Sequence, residues 1–219
     1  MSRLPDDEIG RLLALEALRA GGLVAFPTDT VYGIAVALDT PGGIERLYAA
    51  KRRPPDKAII VLVDGLDQLA GLVAMPPVAQ VLGGIGWPGG LTLVLPLRPG
   101  ARLPAALTAG TATLGVRVPD HPTPRALARV LGPLPTTSAN LSGAADPLDA
   151  EGVERELGDA CDVILDGGPT KGGRPSTVID CAGDLPTVVR AGAIPVARLV
   201  AALDEAGIRH ALGEPALPG

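Results

Sequence analysis

The sequence predicts an α/β (α+β) protein built on a mixed sheet, and three observations carry that prediction. Apolar runs of strand length recur along the chain, each bounded by Gly, Pro, Asn or Asp. Stretches with helical spacing lie between them, so strands and helices intermingle from end to end. With 219 residues, 47% of them hydrophobic, the chain can hide roughly 70% of its unfolded surface in one core. A single domain over residues 1–210 is expected, followed by a tail over 211–219 that looks loose from Leu212 onward.

The elements follow in order. Pro5-Asp6-Asp7-Glu8 sets acids ahead of Ile9, Leu12, Leu13 and Leu18, and Gly21-Gly22 follows Arg19; this predicts a capped amphipathic helix. Leu23–Phe26 and Ile34–Leu38 read as two strands flanking the polar loop Pro27–Gly33. Ile44, Leu47 and Tyr48 then recur at helical spacing until Pro54 forbids continuation. Further strands are expected at Ala58–Val63, Leu91–Leu95, Leu114–Val118, Val163–Asp166, Thr177–Cys181 and Thr187–Val189. Helices are expected near Asp67–Val73, Pro77–Leu82, Thr123–Leu131, Ala150–Leu157 and Pro195–Ala206. The 23 prolines and 29 glycines fall mostly between these elements, and no internal repeat is evident.

Composition narrows the function. A net charge of −5 and a pI near 5.0 argue against broad electrostatic binding to nucleic acid. Phe26, Tyr32, Tyr48 and Trp87 are the only aromatics, too few for a base-stacking platform. Cys161 and Cys181 read as core thiols in a reducing compartment. No apolar run reaches the ~20 residues a membrane span needs, which predicts a soluble cytoplasmic protein. His121 and His210 are too few for a metal centre and suggest no triad; the first reads as a turn residue, the second as surface. Gly84-Ile85-Gly86-Trp87-Pro88-Gly89 matches a dinucleotide fingerprint in letters, but an apolar strand follows it where a helix N-terminus is required. Gly167–Gly173 lacks the Gly-Lys-Ser/Thr ending of a phosphate loop.

Four polar stretches remain. Pro27-Thr28-Asp29-Thr30-Val31-Tyr32-Gly33 reads equally as a hairpin connection bonding its own backbone or as a binding loop held by rigid strands. Lys51-Arg52-Arg53-Pro54-Pro55-Asp56-Lys57 is either a solvated basic turn at a helix C-terminus or a polyphosphate clamp. Pro135–Gly143 packs hydroxyls and an amide into a turn, and Arg174-Pro175-Ser176-Thr177 opens a strand; either could be a cap or part of a site. Arg117 and Arg190 each sit beside apolar strand residues, where a charge wants a partner.

Taken together, Pro27–Gly33, Lys51-x-Arg53-Pro54, Trp87-Pro88-Gly89-Gly90-Leu91-Thr92, Gly115–Pro119, Ser138-Ala139-Asn140-Leu141-Ser142-Gly143, Ser176–Asp180 and Arg190-x-Gly192 resemble the YrdC-like family of L-threonylcarbamoyladenylate synthases, in its short bacterial form. The resemblance runs from about Gly21 to Gly192. It implies a twisted mixed sheet flanked by helices, with an open, concave, positively charged cavity. It also implies a reaction in which L-threonine, bicarbonate and ATP give threonylcarbamoyl-AMP and pyrophosphate, the first step in modifying adenosine 37 of tRNA.

Carried over by motif, Arg53, Lys57, Thr113, Ser138, Asn140 and Arg190 would bind ATP, with Lys51 and Arg53 as catalytic cations. Thr30, Tyr32, Arg117, Thr136 and Ser176 would bind threonine, leaving Thr28 and Asp29 as turn residues. Mg²⁺ would travel with ATP, with no metal ligand assigned to protein side chains. The implied partners are the substrates and a downstream threonylcarbamoyl-transferase machinery; direct tRNA contact is left open, and no membrane is implied. The chain departs from longer members at Lys57-Ala58 (Asn-Pro there), at Leu62 (a histidine there) and in stopping before their linker and second domain, and Asp146 stands where a small polar residue is expected. Two alternatives are a non-catalytic double-stranded-RNA or tRNA-binding module, and a relative of the hydrogenase-maturation carbamoyltransferases.

Overall fold

The computed structural model describes residues 1–213, so residues 214–219 of the predicted tail lie outside the described residues. The strands are β1 (Ser2–Pro5), β2 (Val24–Phe26), β3 (Gly33–Ala35), β4 (Ile60–Leu62) and β5 (Leu91–Pro96) in the first half. In the second half come β6 (Thr113–Arg117), β7 (Leu134–Ser138), β8 (Val163–Asp166), β9 (Thr177–Asp180) and β10 (Thr187–Arg190). They form one ten-stranded sheet in the order β1-β8-β2-β3-β7-β4-β6-β5-β9-β10. The β1–β8, β2–β8, β4–β6 and β5–β9 pairs are parallel and the others antiparallel, so the sheet is mixed, as predicted.

The helices are α1 (Glu8–Arg19), α2 (Gly43–Lys51), α3 (Pro77–Gly86), α4 (Ala105–Thr108), α5 (Pro122–Leu131), α6 (Ala150–Leu157) and α7 (Val196–Glu205). Asp7 caps α1 by accepting the Gly10 N–H at 2.8 Å, the role its position predicts. Asp149 does the same for α6 at Gly152, 2.7 Å. His121 caps α5 through Nδ1, which accepts the Thr123 N–H. Two apolar clusters sandwich the sheet. Leu47, Leu82, Val153 and Leu199 bring α2, α3, α6 and α7 onto one face, while Leu15, Leu18 and Leu127 bring α1 and α5 onto the other with Phe26 and Leu165.

Several expectations need correction. β1 was not anticipated, because Ser2-Arg3-Leu4-Pro5 carries one aliphatic residue; as an edge strand it needs little more, since β8 supplies its pairing. β7, read as a turn, lies between β3 and β4. Its hydroxyl-rich sequence suits a strand whose outward groups face a cavity instead of a core. The face of α1 that packs is Ala14, Leu15 and Leu18, leaving Ile9, Leu12 and Leu13 exposed. The expected helix at Asp67–Val73 is a single 3-10 turn, Leu66–Leu69, ended ahead of Gly71. Gly84–Gly86 fall at the end of α3 with β5 next, in line with the rejected fingerprint. Leu212 is 3% exposed and packs in the core, so the loose tail does not begin there.

Candidate active site

Helices α1 and α5 cover only part of their face of the sheet; the rest is the floor of a cavity of about 360 Å³. Alternate residues of neighbouring strands point up into it: Ile60 and Leu62 of β4, Thr92 and Val94 of β5, Thr113, Gly115 and Arg117 of β6, and Thr136 and Ser138 of β7. This is the period of two that a pleated sheet imposes. A side chain at Gly115 would stand 2.8 Å from Ile60, so glycine there keeps the floor open. The walls are the Pro27–Gly33 loop, Arg53, Pro175 and Ser176 with β9, and Arg190 at the end of β10.

One wall is closed upon itself. Thr28 Oγ1 donates to the Val31 carbonyl at 2.7 Å and accepts from the Thr30 N–H at 3.1 Å. Its single proton being committed, Thr28 must accept in the 3.0 Å contact with Thr30 Oγ1. Thr30 accepts in turn from Arg117 Nη1 at 2.8 Å. Arg117 also donates to the Gly89 carbonyl at 3.0 Å and to Asp29 Oδ1 at 2.6 Å, and both members of the ion pair are largely buried. Burial lowers the Arg117 pKa and Asp29 opposes that effect. Asp29 is therefore the counterion of Arg117, which corrects its assignment as a turn residue, whereas Thr28 does bond its own loop.

Tyr32 borders the cavity, but its side chain is fully buried. Its hydroxyl donates to the Gly168 carbonyl at 2.9 Å and accepts the Gly167 N–H at 3.1 Å. Desolvation raises its pKa to about 12, so it stays a neutral donor. Tyr32 thus clasps the Gly167–Gly173 loop onto the Pro27–Gly33 loop, with Gly173 N–H bonded to the Thr30 carbonyl at 3.1 Å. A Cβ on Gly172 would meet the Asp29 carbonyl at 2.4 Å, so the two loops meet backbone to backbone.

The opposite wall is cationic. Arg53 donates through Nε to the Lys57 carbonyl at 2.9 Å and through Nη2 to the Ala58 carbonyl at 2.7 Å. Tyr48 braces the same turn by donating to the Lys57 carbonyl at 2.8 Å. Arg190 donates to the Ser176 carbonyl and, at 3.2 Å, to Ser176 Oγ. Among the described residues neither arginine has a carboxylate partner within 4.0 Å. Desolvation lowers the pKa of both; at Arg190 the Asp146 carboxylate opposes that effect and repulsion from Arg53 adds to it.

Arg53, Thr113, Ser138 and Arg190 of the predicted nucleotide site line the cavity, as do Thr30, Tyr32, Arg117, Thr136 and Ser176 of the predicted threonine site. Lys51, Lys57 and Asn140 do not. The Lys51 ammonium, 1% exposed, donates to the backbone carbonyls of Ser138 and Asn140 and to Asn140 Oδ1. Desolvation, with Arg53 adding, lowers its pKa to about 8. Asn140 accepts the Ser138 hydroxyl at 2.6 Å and donates to the Ala144 carbonyl at 2.7 Å. Lys51 and Asn140 together hold the turn that presents Ser138. The Lys57 side chain is exposed, and what its residue contributes to the wall is a carbonyl. Sequence reasoning missed Thr92 and Asp29; the Gly-Gly-Leu-Thr motif contained the first, and nothing in the letters paired the second with Arg117.

Four of the cavity hydroxyls share a polarity. Thr136 gives its proton to the Leu134 carbonyl at 2.8 Å, and Ser138 to Asn140. Thr111 gives its proton to the Thr108 carbonyl, so Thr113 donates in their 3.0 Å contact. With Thr30, these side chains turn lone pairs, not protons, toward the cavity.

Comparison with known proteins agrees with this architecture. The Sua5_yciO_yrdC family model, described as telomere recombination, matches residues 16–192. A threonylcarbamoyl-AMP synthase of Bacillus subtilis is 43% identical over 191 residues, covering 86% of this chain and 54% of the relative. Pyrococcus abyssi Sua5, solved in complex with L-threonine, superposes with a TM-score of 0.86 at 34% identity, over 96% of this chain and 61% of that one. Escherichia coli YciO superposes with a TM-score of 0.78 at 31% identity, over 90% and 98%. A sheet-floored polar cavity and this extent of match define a class, and the chain belongs to the Sua5/YciO/YrdC family. It spans between half and two thirds of the length of the Bacillus and Pyrococcus relatives.

Proposed function

We propose that the chain synthesises L-threonylcarbamoyladenylate from L-threonine, bicarbonate and ATP, releasing pyrophosphate, as the first step of threonylcarbamoyladenosine formation at position 37 of tRNA. The observation that carries this reading is the pairing, within one cavity, of two arginines lacking carboxylate partners with a wall of pre-oriented hydroxyls. One side suits a polyphosphate, the other a small polar amino acid. The similarity to Sua5 in complex with L-threonine supports it, and the relatives named as synthases favour catalysis over the RNA-binding alternative.

The threonine amine condenses with bicarbonate, forming the N–C bond as a C–O bond breaks and water leaves, to give a carbamate whose oxygen attacks the α-phosphorus of ATP in line as pyrophosphate leaves. The residues assigned to this reaction include no histidine and no carboxylate pair poised as a base, so positioning and charge stabilisation carry the step. Arg53 and Arg190 hold the triphosphate, Thr113 and Ser138 accept from the nucleotide, and Thr30, Arg117, Thr136 and Ser176 orient threonine, with Tyr32 bordering that pocket. Lys51 and Asn140 act by fixing the Ser138 turn. Mg²⁺ keeps several waters when bound to phosphates and needs few protein ligands; the outward lone pairs of Thr113 and Ser138 are donors of the right hardness. Bound there, the ion would neutralise phosphate charge. Selection against valine rests on hydrogen bonds to the threonine hydroxyl, whereas rejection of serine rests on one methyl, worth roughly 1–3 kcal/mol. Leu62 offers an apolar floor where longer members carry a histidine.

We further assign residues 1–210 to one catalytic domain, place the protein in the cytoplasm, and take a threonylcarbamoyl-transferase machinery as its downstream partner. No helix among the described residues is long and apolar enough to cross a membrane. Pyrophosphate release, measured with threonine and bicarbonate omitted in turn, tests the activity. Release should require both, and release indifferent to either omission would refute the assignment.

A further inference from the structure

Thr92 sits on β5 in the cavity floor, wholly buried, with its Oγ1 2.8 Å from Ser176 Oγ. Either oxygen could donate in that contact. Thr92 Oγ1 makes no second hydrogen bond among the described residues. If Ser176 donated, the Thr92 proton would therefore be buried without an acceptor, an arrangement folded proteins avoid. The contact resolves when Thr92 donates. Ser176 already accepts from Arg190 Nη2 at 3.2 Å, so the two bonds fill both lone pairs of its oxygen. Its own proton then has no acceptor among the described residues, and Ser176 borders the cavity. This polarity is opposite to that of Thr30 and Thr136, whose protons are turned inward.

We propose that Thr92 is a positioning residue that, with Arg190, fixes Ser176 as a proton donor facing the cavity, matched to a carboxylate oxygen of the amino-acid substrate. The acceptor-only Thr30 and Thr136 then match that substrate's ammonium and hydroxyl protons. The amino acid is thereby oriented by the polarity of three hydroxyls, beside Arg117 in the same lining. The proposal rests on threonine being the substrate, and wild-type enzyme serves as the control for that reading. Pyrophosphate release by wild type that ignores threonine would overturn the substrate assignment, whatever the variants do.

The test is a kinetic and calorimetric comparison of Thr92→Val, Thr92→Ser, Ser176→Ala and the Thr92→Val/Ser176→Ala double variant. Thr92→Val should raise the KM and Kd for threonine about tenfold, the scale of one neutral hydrogen bond lost, and move the KM for ATP less than about twofold. Thr92→Ser restores the hydroxyl and should restore threonine binding. In the Ser176→Ala background Thr92→Val should cost nothing more, because Thr92 acts only through Ser176. Unchanged threonine binding in Thr92→Val, an equal rise in both KM values, or additive losses in the double variant would each overturn the proposal. So would failure of both Thr92→Val and Thr92→Ala to fold, since Thr92 would then be a structural residue.

Discussion

The two walls of the cavity solve opposite electrostatic problems. In the Pro27–Gly33 wall, the buried Arg117 is paired with Asp29 and spends three of its five N–H groups on Asp29, Thr30 and Gly89, so its charge orders the loop. In the other wall, Arg53 and Arg190 bond only carbonyls and a hydroxyl among the described residues, and their charge remains available. A buried ion pair contributes little net stability but is costly to break, whereas a cation held by carbonyls still seeks an anion. The same residue type thus builds the site on one side and leaves charge available on the other.

The sharpest way to break this contrast is to remove the internal counterion. Asp29→Ala should leave Arg117 buried and unpaired, lowering stability by about 3–5 kcal/mol, read as a fall in the denaturation midpoint; little change would mean the pair orders nothing. Arg53→Ala should do the reverse. Folding stays near wild type while kcat/KM for ATP-dependent pyrophosphate release falls at least about 100-fold, the scale of one lost charge-assisted clamp on a transferring phosphate. Normal release in that variant would remove the phosphate assignment.

Lys51 sharpens the comparison, being a cation placed beneath the open wall. Its folded pKa of about 8 lies below the ordinary 10.5, so between those values the unfolded chain binds more protons and stability rises with pH. The destabilising cost of the buried charge is fully present below about pH 8 and is relieved toward pH 10.5. Lys51→Met should lose this rise; urea unfolding of both proteins at two pH values inside the window checks it, and parallel slopes would contradict it. The smallest effect is expected at Lys57→Ala. Its exposed side chain lies outside the cavity while its carbonyl stays to hold Arg53 and Tyr48, so kcat/KM should change less than about threefold. A larger loss would return Lys57 to the phosphate clamp.

Much of this molecule was legible in its letters. The apolar runs that became β2, β5, β6, β8 and β9 announce themselves because both faces of a central strand are buried or half-buried. β7 did not, since Thr136 and Ser138 face a cavity and carry no hydrophobic signal; β1 did not, since an edge strand needs none. The same logic divides the site residues. Arg53, Thr113 and Ser176 are assigned through the family resemblance of their motifs, and all three line the cavity. Asp29, Lys51, Lys57 and Thr92 depend on which partner reaches them.

The sequence by itself determined a mixed-sheet α/β fold and the loops that carry polar chemistry, because alternation, capping and turn residues act over a few positions. It also determined membership in its family, through the order of those loops. Only the tertiary structure decided which cations remain free. That depends on Asp29 meeting Arg117 across 88 residues, on Lys51 reaching the Ser138 and Asn140 carbonyls, and on Thr92 of β5 lying beside Ser176, the residue that leads into the neighbouring strand β9. Charge and proton polarity are properties of contacts, and contacts between distant residues exist only once the sheet has closed.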